Sequence, residues 1–172
     1  MIREIIKYPN QILRKKCEEV GEVTSEIKGL SFNMVETMIE GQGIGLAAPQ
    51  IGELKRIIVV HPIEERTADE KISKRPQVFI NPRITKKSKE TEIGEEGCLS
   101  FPGLFLKIKR VKAVEIEALN EKGEKIQVRA EGLPARIFQH EIDHLDGILF
   151  IDRIGFWQKL KIKQKLKQYG SR

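Results

Sequence analysis

Cysteine and histidine are scarce in this chain. Among 172 residues there are two cysteines, Cys17 and Cys98, and three histidines, His61, His140 and His144. Two thiols cannot build the disulfide framework of a small secreted domain. A reducing compartment is expected, and either thiol is free to act as ligand or nucleophile. No stretch approaches the ~18–20 apolar residues that a membrane span requires. Met1 to Lys7 lacks an apolar signal core and a small-residue cleavage site, and it carries Glu4 and no serine. It reads as neither a secretory signal nor a transit peptide, so a cytoplasmic location is the expectation. There is no internal repeat and no Pro/Gly/Ser linker. The last twenty residues, Arg153 to Arg172, hold seven basic side chains and no acid, out of 31 basic and 25 acidic in the chain. The remainder, with 24 basic against 25 acidic residues, is about neutral. The net charge of +6 therefore belongs to the tail, and an electrostatic argument about partners is confined to it.

What is present suits one globular domain of ordinary size, 40% apolar and 33% charged. The expected division is a catalytic domain over 1–152 and a basic helical tail over 153–172. Thr24 or Ser25 can cap a helix whose apolar positions, from Ile27 to Ile39, recur at helical spacing and which Gly41 ends. Gly43 to Gln50 is too glycine-rich for a helix interior and reads as a loop or irregular strand. Ile57–Val60 and Val78–Ile80 read as buried strands. Val111 to Leu119, a turn over Asn120–Gly123, and Glu124 to Ala130 read as a β-hairpin with one wet face. Leu133 to Leu145 is a second helix stopped at Gly147. A third, basic helix is expected from about Phe156 to Gln168, with Trp157 and Leu160 docking its first turn. The class is α+β, with antiparallel sheets around a central helix.

That central helix carries His140-Glu141-Ile142-Asp143-His144, an H-E-x-x-H pattern. Residues i and i+4 share a helical face, so both imidazoles can reach one cation. A bound cation lowers the pKa of its water to ~7, and Glu141 is placed to take the proton. The bland alternative, polar residues facing solvent, is weakened because the pattern uses two of only three histidines. A catalytic site needs a third protein ligand. The extended pattern x-x-G-x-x-H is met by Gly147 but fails at Phe150, and no glutamate follows Glu141. The third ligand must come from upstream: Cys98, Cys17, His61 or a carboxylate. Cys98 is the best candidate, because it sits in Glu96-Gly97-Cys98-Leu99-Ser100, where a glycine permits close backbone approach. A thiolate binds zinc or ferrous iron well. Cys17 reads as core and His61 as structural or surface. Ile137, three residues before His140 and on its face, is expected to wall an apolar pocket with Ile44 and Phe101.

At this point the residues match a family. The chain resembles the peptide deformylases, which remove the formyl group from the N-terminal formylmethionine of new proteins. Gly43 to Gln50 fits the family's glycine–apolar–glycine–apolar–Ala-Ala-Pro-Gln motif, Glu96 to Ser100 its Glu-Gly-Cys-apolar-Ser motif, and Gln139 to Gly147 its Gln-His-Glu-x-Asp-His-Leu-x-Gly motif. Tyr8 to Arg14 is similar to the family's opening. The resemblance implies Cys98, His140 and His144 as ligands to one divalent ion per chain, ferrous iron, with zinc, nickel or cobalt as substitutes. It implies Glu141 as the proton shuttle and an oxyanion hole formed by the Gln50 amide and the Leu99 backbone N–H. It implies strand-like pairing of substrate with Gly45, formylmethionyl nascent peptides as substrates, and ribosome contact through the basic tail. A monomer without membrane attachment is expected. Two other readings stay in view: a metallopeptidase of another H-E-x-x-H class, and a structural-metal or RNA-binding module. Glu141 argues against a purely structural metal site.

Overall fold

The computed structural model describes residues 1–61 and 75–169. Its regular elements, in chain order, are helix α1 (Ser25–Glu40), strands β1 (Gly45–Ala47), β2 (Ile57–Val60), β3 (Gln77–Lys87), β4 (Thr91–Gly97), β5 (Phe105–Val111), β6 (Ala113–Leu119) and β7 (Lys125–Glu131), and helices α2 (Leu133–Leu145) and α3 (Phe156–Tyr169). Strands β1-β2-β3-β6-β7 form one antiparallel sheet in that order, and β4 and β5 form a separate hairpin. The class is α+β, as the sequence leads one to expect. No helix among the described residues is long and apolar enough to cross a membrane.

At β1 and β2 the large sheet is buried on both faces, which is why β2 reads Ile-Ile-Val-Val without alternation. Ile57 and Val59 pack with Met34 and Met38 of α1, while Ile58 and Val60 pack with Ile137, Phe138 and Ile142 of α2. Helix α2 is thus the centre of the molecule, and every residue from Ala135 to Leu145 is buried. Pro134 stands in its first turn, where a missing N–H costs nothing. It is followed by Gly147 at φ +72°, where a β-carbon would strike the carbonyl oxygen of Arg14.

Two parts of the fold differ from the sequence expectation. Strand β3 continues beyond Ile80 to Lys87, across Asn81-Pro82. The ladder to β6 slips between Ile80 and Arg83, a bulge that absorbs the proline's missing donor. The β4–β5 hairpin was not expected at all. In β5 the inward positions are Leu106, Ile108 and Arg110, and a charged residue at the third breaks the apolar alternation. Helix α3 falls where expected but turns a different face inward. Trp157 and Leu160 are 74% and 53% exposed, whereas Ile162 is buried and packs with Leu166 and Tyr169 against the cluster that holds Leu13, Phe101 and Phe150. The Tyr169 hydroxyl donates to the Pro102 carbonyl at 2.8 Å.

Candidate metal centre and active site

Three chain segments converge on one point. The first runs through β1 into a short 3-10 turn, Ala48–Ile51, and supplies Gly45 and Gln50. The second leaves β4 at Gly97 and supplies Cys98 and Leu99. The third is α2, which supplies His140, Glu141 and His144. The N-terminal segment straps the first two together: Ile6 N–H donates to the Gln50 carbonyl at 2.8 Å and Tyr8 N–H to the Ser100 carbonyl at 3.0 Å.

One donor atom from each of Cys98, His140 and His144 lies within 4.8 Å of the other two. Cys98 Sγ is 3.3 Å from His144 Nε2. A thiolate and two imidazoles at that spacing are the donor set of a zinc or ferrous site. His140 Nδ1 pairs with Glu96 Oε2 at 3.0 Å, which assigns the proton to Nδ1 and leaves Nε2 with a lone pair for a cation. The two other candidates, Cys17 and His61, do not join this cluster. Cys17 is buried in the core beside α2, and burial pushes its thiol up to about 11, so it is inert as a nucleophile. His61 is exposed at the end of β2.

Behind the donors lies a buried ionic network that the motif reading did not assign. Glu96 accepts from Arg110 Nε at 2.9 Å and Nη2 at 3.0 Å, and from Arg136 Nη1 at 2.9 Å, as well as pairing with His140. Burial would raise the Glu96 carboxyl, but its bonds to His140 and Arg110 outweigh that and hold it at about 2. Asp143 accepts from Arg110 and Arg153. The Glu of the Cys98 motif and the Asp of the histidine motif are therefore joined through one guanidinium, which fixes the loop against the helix. Arg110 takes an inward position of β5, a strand the sequence patterning did not reveal.

Glu141 occupies a different environment. Its Oε2 is buried and accepts no hydrogen bond among the described residues. Burial pushes its carboxyl up to about 7, against a partial counter-effect from His140. A β-carbon on Gly45 would overlap the Glu141 carboxylate, so glycine at 45 makes the room in which Glu141 lies. Gln50 is 2% exposed. Its Oε1 accepts from Ala47 N–H at 2.8 Å, which turns Nε2 toward Cys98 Sγ at 3.4 Å and Ser100 Oγ at 3.3 Å.

A cleft of about 520 Å³ opens on this cluster and is lined by Ile44, Gly45, Gln50, Leu99 and Phe101 together with Cys98, His140 and Glu141. A smaller recess of about 80 Å³ adjoins it, where Ile44, Leu133 and Ile137 meet the charged side chains of Glu95, Glu96, Arg136 and Glu141 beside Gly97 and His140. The three residues expected to wall one pocket are divided: Ile44 borders both spaces, Phe101 only the cleft and Ile137 only the recess.

Residues 2–160 match the sequence model of the family described as polypeptide deformylase. The chain belongs to the polypeptide deformylase family. It is 45% identical over 166 residues to the peptide deformylase of Thermodesulfovibrio yellowstonii, covering 96% of this chain and 97% of that one. It is also 45% identical over 150 residues to the peptide deformylase of Desulforudis audaxviator, covering 87% and 92%. The crystal structure of peptide deformylase from Ehrlichia chaffeensis superposes with a TM-score of 0.87 at 36% identity, over 98% of this chain and 96% of that one. The deformylase removes the N-terminal formyl group from polypeptides, a metal-dependent hydrolysis of a linear amide. The reading as another class of metallopeptidase is not favoured.

Proposed function

We propose that this deformylase acts on formylmethionyl nascent chains in the cytoplasm, as a monomer holding one ferrous ion on Cys98, His140 and His144, with zinc, nickel or cobalt as substitutes. The observation that carries the reading is the convergence of those three donors beside a carboxyl, Glu141, that has no hydrogen-bond partner among the described residues and a pKa of about 7. When bound, the cation supplies Lewis acidity that polarises the formyl carbonyl and acidifies water.

The protein groups supply the rest. Glu141 takes a proton from the attacking water at its carboxylate and returns it to the departing amine nitrogen. Burial favours the protonated carboxyl and the cation's charge favours the ionised one, so the group can take up the proton and give it back. Gln50 Nε2–H and the Leu99 backbone N–H donate to the oxygen on which negative charge develops. Gly45 offers its backbone to the substrate backbone at the β1 edge of the large sheet, where it lines the cleft. The side chain of the first substrate residue enters the recess beside Ile44, Leu133 and Ile137, and Phe101 walls the cleft beyond it. Residues 153–172 serve as a basic arm whose exposed lysines meet the phosphates of the ribosome surface.

The test is turnover of formyl-Met-Ala against unformylated Met-Ala, with metal analysis of anaerobically purified protein. Formate release from the first alone, together with one iron per chain, is the expected result. Cleavage of an unformylated peptide bond would overturn the reading.

A further inference from the structure

Among the described residues that line the cleft, the titratable side chains are Lys7, Cys98, His140 and Glu141. The last three belong to the catalytic cluster. Lys7 does not, and the hydrolysis makes no use of it. It stands on the N-terminal strap between Ile6 and Tyr8, whose backbone N–H groups tie the strap to Gln50 and Ser100. Its side chain is exposed, and its Nζ donates to the Leu99 carbonyl at 2.7 Å. Lys7 also borders a second hollow, outside the strap beside Tyr8 and Tyr169, but Leu99 lines the cleft and not that hollow. Its hold on the Leu99 carbonyl therefore sets the ammonium on the cleft side. An ammonium has three donors, and two of these remain. Among the described residues it pairs with no carboxylate.

The way out of the cleft passes this ammonium. Strand β1 is the free edge of the large sheet. Every residue from Gly45 to Gln50 is buried, whereas Gly41 to Ile44 are half-buried or exposed. A chain laid along that edge, with its first side chain in the recess, cannot continue toward Gln50. It leaves over Ile44 and Gly43. There Leu99 closes in, since a β-carbon on Gly43 would come within 2.7 Å of Leu99 Cδ1. Leu99 thus meets the exit with its side chain and Lys7 with its carbonyl. Extended chains running side by side advance at the same ~3.3 Å per residue, so the two steps from Gly45 to Gly43 are matched by the second and third substrate residues. We propose that Lys7 is a specificity-determining residue, which favours an acidic side chain at the second or third residue of the formylated chain and disfavours a basic one. The site is open to water, so each effect is modest. The inference rests on the reading that the recess receives the first side chain and that the substrate pairs with the β1 edge.

The experiment measures kcat/KM of the iron-loaded full-length enzyme on formyl-Met-Xaa-Ala and formyl-Met-Ala-Xaa, with Xaa as Glu, Gln or Lys. All peptides are amidated at the C-terminus, because a terminal carboxylate would itself attract Lys7. At one of the two positions glutamate is expected about fivefold above lysine at low salt, with glutamine between them, the scale of one exposed ion pair and its reversal. The spread should narrow at about 1 M salt, where the Debye length is ~3 Å. Equal rates at both positions overturn the proposal. Lys7→Gln should bring the Glu-to-Lys ratio to about one, Lys7→Glu should invert it, and Lys7→Arg should keep it. A ratio unchanged in Lys7→Gln overturns the proposal: with rates also unchanged the preference belongs to the molecule's overall charge, and with all rates lowered alike Lys7 only clamps the Leu99 turn. Where the variants do not fold, the wild-type enzyme decides by position. The same residues placed sixth in a longer peptide should show no preference, and an equal preference there overturns the proposal. Failure on the glutamine peptides themselves would instead sink the parent reading of the active site.

Discussion

Replacing Glu141 by glutamine separates the chemistry of this carboxyl from its energetic cost. In the metal-free fold its pKa stands at about 7 against an ordinary 4.5, raised chiefly by burial. At 1.36 kcal/mol per pKa unit that interval amounts to about 3 kcal/mol. The folded value is the raised one, so the protonated carboxyl is the form the fold favours. Its contribution to stability is fully present below pH 4.5 and is lost as pH rises through 7. Glutamine has nearly the same shape and no charge. The chelated Glu141→Gln protein should therefore gain stability over chelated wild type by about 3 kcal/mol more at pH 8 than at pH 4.5, the gain developing between those values. Urea unfolding of both proteins across that range measures it, with the slope m held common. Acid effects from carboxyls remote from Glu141 occur in both proteins and cancel in the difference. With a divalent ion bound the difference should shrink, since positive charge beside Glu141 favours its ionised form. Activity of the loaded variant should fall by at least the ~10²–10⁴-fold typical of a general base, with metal content unchanged. A stability difference that does not vary with pH would refute the account of Glu141 as a desolvated, unpaired acid. Near-normal turnover would refute its role as proton carrier.

Cys98→Ala should lose tightly bound metal and activity together, measured by metal content after gel filtration and by formate release. Cys17→Ala should keep both and lose about 1 kcal/mol of stability through the small core cavity it leaves. Gly45→Ala would set a methyl group against the Glu141 carboxylate. Its kcat/KM should fall at least tenfold while its circular dichroism and metal content stay normal, and wild-type kinetics would show that the close approach has no consequence. Reversing Lys159, Lys161, Lys163 and Lys165 to glutamate, all exposed on α3, should weaken ribosome co-sedimentation at low salt and leave formyl-Met-Ala turnover unchanged. Undiminished co-sedimentation would reduce the arm to a solubilising helix. Deleting the arm is the poorer test, because Ile162, Leu166 and Tyr169 would leave the core with it.

The parts of the fold legible in the sequence were those where one physical signal acts alone. Helix α2 announces itself through Gly147 at its end and a two-histidine spacing that a helix brings onto one face. The β6–β7 hairpin shows in the turn Asn120–Gly123 and in an alternation that burial follows residue by residue. The β4–β5 hairpin was hidden because its chemistry overrides its patterning. Strand β4 carries no buried apolar side chain, and its buried residue is Glu96. That carboxylate is tolerable there because Arg110 and Arg136 meet it, and both arrive from elsewhere in the chain. The donors Cys98, His140 and His144 could be named from spacing and motif, but the network that orients His140 could not.

The C-terminal helix shows the same limit most plainly. Its sequence offers two apolar stripes at helical spacing: Trp157 with Leu160, and Ile162 with Leu166 and Tyr169. Nothing local ranks them, and Trp157 is the largest side chain of the five. The body decides. Tyr8, Phe101 and Phe150 come together only once the N-terminal strap, the loop after Cys98 and the turn after α2 are in place, and they present an aromatic surface to α3. Tyr169 meets it edge-on, with ring centroids 5.8 Å from Phe101 and 6.4 Å from Tyr8, and its hydroxyl reaches the Pro102 carbonyl. Trp157 and Leu160 are left facing outward among lysines. Phe101 also lines the catalytic cleft. The inner face of α3 therefore packs behind a residue that lines the cleft, and its lysine-bearing outer face is exposed.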